Sequence, residues 1–81
     1  MEADELVENS FSQISLDINR TYPQIKSLDR KSLENVLRNI ATHFVGVGYT
    51  QGMNFYAGFL LQCGFSEEET FYILAAIYEN Q

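Results

Sequence analysis

Two short motifs hold the residue types that phosphoryl transfer needs: Ile14-x-x-Asp17-x-x-Arg20 and Tyr49-x-Gln51-Gly52-Met53-Asn54. An arginine suits the neutralisation of charge spread over phosphoryl oxygens, because its planar fork of donors stays charged at any accessible pH. A glutamine carries both a donor and an acceptor. Its carbonyl can hold an attacking water while its amide donates to a phosphate oxygen, which is the positioning task in GTP hydrolysis. No nucleotide-binding loop accompanies them. The lone Gly46-Val47-Gly48 lacks the Gly-x-x-x-x-Gly-Lys pattern and reads as a turn.

The elements that must position these residues are helices. Val7, Phe11, Ile14 and Ile18 recur at helical spacing and predict a first helix from Asp4 to about Arg20. Pro23 disfavours helical backbone at Tyr22, which leaves Arg20 at or just past the last turn. A cation there also suits the helix dipole, so the position has a purely structural explanation too. A second helix is predicted over Arg30 to Phe44, with Asp29 as N-cap and Leu33, Val36, Leu37, Ile40, Ala41 and Phe44 on one face. Thr50 is the expected cap of a third helix running to Cys63, with Gly64 as its stop and Gln51 in its first turn beside unpaired backbone N–H groups. Ser66 and Glu69 form a capping box for a fourth helix starting at Glu67. Its body, Phe71 to Tyr78, is apolar almost all round, which predicts cover on every side, more than three other helices provide. The sequence reads as interrupted after this helix rather than finished, for no capping Gly or Pro follows it.

The chain has 81 residues, of which 46% are hydrophobic, and a net charge of −6. Its size permits one small domain of marginal independent stability, and its composition is globular rather than disordered. The acidic balance excludes a nucleic-acid or anionic-membrane surface, since phosphate backbones demand basic stripes. A single cysteine, Cys63, excludes an internal disulfide and a zinc cluster. The acidic start does not resemble an export leader, and the longest apolar stretch, Phe55 to Leu61, is too short to span a bilayer. The expected location is cytoplasmic. There are no internal repeats and no low-complexity segment.

Several residues have plain structural roles to weigh against chemical ones. Asp17 and Arg20 are spaced for an ordinary surface ion pair. His43 fits the last turn of its helix, facing outward or satisfied in the interior, and has no nucleophile at a recognisable spacing. Cys63 reads as a small buried hydrophobe, and Met53, Phe55, Tyr56 and Phe59 as core, although their aromatic content would also suit a partner. Capping accounts for the acidic run Glu67 to Glu69, which lacks the alternating ligands of a calcium loop.

The stretches Ile14 to Pro23, "ISLDINRTYP", and Val47 to Leu60, "VGYTQGMNFYAGFL", resemble two signature segments of the TBC domain, the family that contains GTPase-activating proteins of Rab-type small GTPases. The similarity is taken to run from about Phe11 to Gln81, with residues 1–10 as a lead-in and the start of the first helix. What the resemblance implies is an all-α fold, the N-terminal to middle part of a larger all-helical domain. It also implies an activator that supplies an arginine finger and a glutamine finger in trans to a Rab, within vesicle trafficking. Arg20 then matches the arginine finger and Gln51 the glutamine finger. Ile14, Asp17, Tyr49 and Gly52 match the residues expected to orient them. The implied partner is a Rab-family small GTPase, through which any peripheral association with endomembranes would run. GTP and Mg²⁺ belong to that partner, so no cofactor of the chain's own is expected. A further family motif, Arg-x-x-x-Trp, is expected upstream, since this chain contains no Trp. The alternative is a non-catalytic helical binding or scaffolding module that keeps the TBC pattern without accelerating hydrolysis.

Overall fold

The strongest apolar periodicity in the chain becomes the centre of the fold. In the computed structural model, which describes residues 2–79, four helices follow in order: α1 (Glu2–Ile18), α2 (Arg30–His43), α3 (Met53–Gln62) and α4 (Glu67–Glu79). No strand occurs among the described residues, and the fold is all-α. Helix α2 packs against each of the other three, and its Leu33, Val36, Leu37, Ile40 and Ala41 are buried. Burial of each large aliphatic of this set contributes roughly 1.5–3 kcal/mol. Ile14 from α1, Met53 and Ala57 from α3, and Leu74 and Tyr78 from α4 close around it.

Local chemistry sets the helix ends. Asp29 caps α2 by accepting from the Ser32 N–H at 3.1 Å, and the hydrogen bonds from Ser32 hold its carboxyl below the usual value. The capping box is complete at α4, where Ser66 N–H donates to Glu69 Oε1 at 2.9 Å and Glu69 N–H donates to Ser66 Oγ at 3.1 Å. After α3, Gly64 N–H reaches Leu61 O at 3.1 Å and Phe65 N–H reaches Leu60 O at 3.2 Å, the two closures of a Schellman ending. Two starts differ from expectation. Helix α1 begins at Glu2 rather than Asp4. Helix α3 begins at Met53, not after a Thr50 cap, because Gly52 stands at its N-cap with a φ of 99°, and a helix cannot run back through left-handed backbone.

The principal extents are 38 × 25 × 17 Å, and the thinnest is less than two helix diameters of roughly 10 Å, so each helix keeps a free face. Three core assignments are corrected accordingly. Phe55, Tyr56 and Phe59 are about half exposed, at 46%, 61% and 59%, while Met53 on the same helix is buried. Cys63 is exposed because it lies at the C-cap of α3, at the rim of the slab. Helix α4 is covered on one side only: Thr70, Leu74, Ala75 and Tyr78 are buried, whereas Tyr72 and Ile77 face outward. We expect the isolated chain to bind a hydrophobic dye or self-associate through these faces. A sharp cooperative melt from a monomer that binds no dye would show instead that the four helices complete their own core.

Candidate functional site

The two motifs meet at a buried carboxylate. Asp17 lies in the last turn of α1 with its side chain only 7% exposed, so it is not the surface residue that its spacing to Arg20 suggested. Its Oδ2 accepts from the Tyr49 hydroxyl at 2.7 Å, and its Oδ1 accepts from Gln13 Nε2 at 3.2 Å. Tyr49 is held at both ends, since its backbone N–H donates to Ser10 Oγ at 3.1 Å. Ser10, Gln13 and Asp17 share one face of α1, and that face receives the loop between α2 and α3. Burial first, then the bond and the charge of Asp17, push the Tyr49 phenol far above its ordinary value and keep it protonated.

Arg20 lies in the turn after α1, with 67% of its side chain exposed and Nη1 3.9 Å from Asp17 Oδ1. With its cation in solvent and its atoms that far apart, the pair contributes about 0–1 kcal/mol, so the guanidinium is oriented but not sequestered. The backbone beneath it is fixed more firmly. Thr21, fully buried, donates its hydroxyl to Asp17 O at 2.6 Å and accepts from Asn54 Nδ2 at 2.7 Å. Tyr22 donates its hydroxyl to Phe55 O at 3.2 Å and meets the Phe55 ring edge-on. Gly58 lets this turn approach α3 closely: a Cβ there would lie 3.0 Å from Thr21 Cγ2 and 3.2 Å from the Tyr22 ring.

Gln51 sits in a turn two residues ahead of α3, not in the first turn of the helix as its spacing from Thr50 suggested. Thr50 is no side-chain cap, and its N–H donates to the Tyr78 hydroxyl at 3.1 Å. Met53 N–H closes the turn on Thr50 O at 3.1 Å. Gln51 is exposed, and its side chain enters no hydrogen bond among the described residues. Of the other motif residues, Ile14 is fully buried and anchors α1 to the core, and Gly52 supplies the left-handed link into α3. Contacts therefore join Ile14, Asp17, Arg20 and Tyr49 into one structural unit, while Gln51 follows along the chain from the fixed Tyr49 and Thr50.

Sequence reasoning missed Ser10, Thr21, Arg30, Asn54, Gly58 and Tyr78. Thr21, Asn54 and Gly58 lie inside the two signature stretches, but nothing local announces that they touch. Arg30 had a signal: a cation in the first position of α2 opposes that helix's dipole. Its guanidinium instead donates to the carbonyls of Ile18 at 2.7 Å, Thr21 at 2.8 Å, Tyr22 at 3.1 Å and Ile25 at 3.5 Å. Among the described residues, no cluster of His, Cys, Asp or Glu is placed to hold a metal, and no helix is long and apolar enough to cross a membrane.

The fold is all-helical, and the bond from Tyr49 to Asp17 joins its two motifs. The chain belongs to the Rab-GTPase-TBC domain family, whose pattern it matches over residues 1–81. It is 44% identical over 71 residues to Growth hormone-regulated TBC protein 1 of Homo sapiens, covering 79% of this chain and 21% of that protein. It is 39% identical over 82 residues to a TBC domain-containing protein of Schizosaccharomyces pombe, covering 95% of this chain and 11% of that protein. Growth hormone-regulated TBC protein 6 of Caenorhabditis elegans is 43% identical over 61 residues, covering 70% of this chain and 18% of that protein. The chain thus spans about a fifth or less of the length of these relatives. No solved structure matches it significantly.

Tyr49→Phe removes the donor from a buried carboxylate, and we expect a loss of about 1.5–3 kcal/mol of stability at neutral pH. The pH dependence has a defined sign. The native phenol is held protonated above its ordinary value, so its stabilisation is full below the unfolded value of about 10 and declines as the pH rises beyond it. Denaturant melts on either side of that pH should therefore show a steeper alkaline loss in the parent than in Tyr49→Phe. Equal slopes would mean that the hydroxyl does not bond Asp17 in solution.

Proposed function

We propose that this chain acts in GTPase activation toward a Rab-family small GTPase, with Arg20 and Gln51 inserted in trans into the partner's nucleotide site. The observation that carries the proposal is the 2.7 Å bond from Tyr49 to Asp17, which ties the turn bearing Arg20 to the loop bearing Gln51 while both of those side chains stay exposed. Membership of the Rab-GTPase-TBC family supports the choice of partner. GTP and Mg²⁺ are held by the GTPase. Arg20 donates to phosphoryl oxygens as charge develops on them, Gln51 accepts from the attacking water through its carbonyl, and its amide donates to a phosphate oxygen. The chain is an activator and turns over no substrate alone, and it meets endomembranes through its partner. Arginine fingers as a class are worth roughly 10³–10⁵ in rate.

A second function is favoured by a different observation. The half-exposed row Phe55, Tyr56 and Phe59 would suit a helical binding or scaffolding module that holds a partner without accelerating anything. Single-turnover hydrolysis by the Rab separates the two. In the full-length protein, Arg20→Ala and Gln51→Ala should each cut the stimulated rate by orders of magnitude while the complex survives. Arg20→Lys should rescue little, because one ammonium does not reproduce a planar multiple donor. The losses should be strongly non-additive, since both side chains act on one transition state. Undiminished hydrolysis with a folded, binding Arg20→Ala protein would assign the chain to the scaffolding class.

A further inference from the structure

We propose that Arg30 is a positioning residue for the arginine finger: its guanidinium gathers the carbonyls of the turn that carries Arg20 and sets where that side chain starts. The inference rests on the activator function proposed above. Two independent observations converge on it. First, Nη1 donates to Ile18 O and Thr21 O, and Nη2 to Tyr22 O and Ile25 O, so one planar group spans the end of α1 and the whole turn after it. Ile18 O is one of the last carbonyls of α1, which have no partner within the helix, while the other three belong to the turn that follows, and a cation at this end also offsets the negative pole of the α1 dipole. Second, the turn holds a conformation that it would not keep unaided. Tyr22 has a φ of 45°, left-handed backbone that a bulky aromatic residue seldom adopts and that persists only where the surroundings over-determine it.

The placement of Arg30 costs its own helix. It occupies the first position of α2, where a cation faces the positive end of the dipole and the acidic residue at that end is the Asp29 N-cap. Its energetic return lies across the interface, at α1. Thr21 and Asn54 hold the inner edge of the same turn, but neither reaches the carbonyls of Tyr22 and Ile25. Without the guanidinium, Arg20 would start from a turn free to relax toward ordinary backbone, and a displacement of about 1 Å at a reacting group can cost a hundredfold in rate.

The test is a double-mutant cycle in the full-length protein, reading kcat and KM for Rab·GTP hydrolysis, with trypsin cleavage after Arg20 as a second readout. Arg30→Met should lower kcat by about tenfold or more and leave KM within about twofold, because aim is lost and docking is not. The same change should speed cleavage after Arg20. In an Arg20→Ala background, Arg30→Met should cause no further loss of kcat. Arg30→Lys keeps the stem and the charge but offers a single point donor, so it should fall between parent and Arg30→Met, and it serves should Arg30→Met fail to fold. Equal kcat losses with and without Arg20 would make Arg30 merely structural and overturn the proposal, as would an unchanged kcat in Arg30→Met. If Arg20→Ala itself leaves kcat intact, the activator function falls and the positioning role falls with it, even where the cleavage result still shows the clamp.

Discussion

One buried carboxylate organises this structure. Asp17 is withdrawn from water at the end of α1, and an ionised group there is tolerable only where donors replace its hydration. Gln13, four residues earlier, supplies one donor from the same helix, and Tyr49 supplies another from 32 residues away. The second bond is the consequential one. To satisfy Asp17, the loop between α2 and α3 must fold back across α1, and this brings the segment bearing Gln51 to the helix end that precedes Arg20. Ser10, about two helical turns before Asp17, accepts from the Tyr49 N–H, makes the seating two-pointed and excludes rotation about the phenol bond alone.

Neither proposed finger lies within a helix; both belong to turns, and the turns are held by side chain to backbone bonds rather than by the regular ladder. Arg30 spans four carbonyls at one turn, Thr21 and Asn54 hold its inner edge, and Tyr78 captures the N–H just ahead of Gln51. Such bonds fix the starting point of a side chain while leaving its tip unencumbered. Arg20 accordingly has only a long contact to Asp17, which is worth little at its exposure. The division of labour is economical in a small helical unit. The α2 face provides burial energy, and polar groups at the helix ends spend part of it in fixing a few turns.

The same geometry leaves much apolar surface uncovered. Because the unit is a thin slab around α2, the sides of α3 and α4 that turn away from α2 are left uncovered among the described residues, and Phe55, Tyr56, Phe59, Tyr72 and Ile77 stand on them. Tyr22 leans on Phe55 from the turn after α1, so the α3 part of this surface adjoins the candidate site.

The helices were legible in the sequence because their determinants are near neighbours. The α2 stripe, the Asp29 cap, the Ser66 and Glu69 box and the Gly64 stop each need only residues three or four positions apart. Both motifs, and the chemistry their residue types allow, were legible for the same reason. Tertiary structure decided the rest. Asp17 has the spacing of a surface ion pair, and only the arrival of Tyr49 shows that it is buried. Thr50 looked like a cap for a helix containing Gln51, until Gly52 proved left-handed and Tyr78 took the Thr50 N–H. Phe55, Tyr56 and Phe59 looked like core by composition, yet burial depends on whether another element lies opposite. Arg30 opposes the dipole of its own helix, and its bonding partners lie at the end of α1 and in the turn after it. In each case the deciding partner comes from another element of the fold or a backbone angle in a loop, and local periodicity holds no information about either.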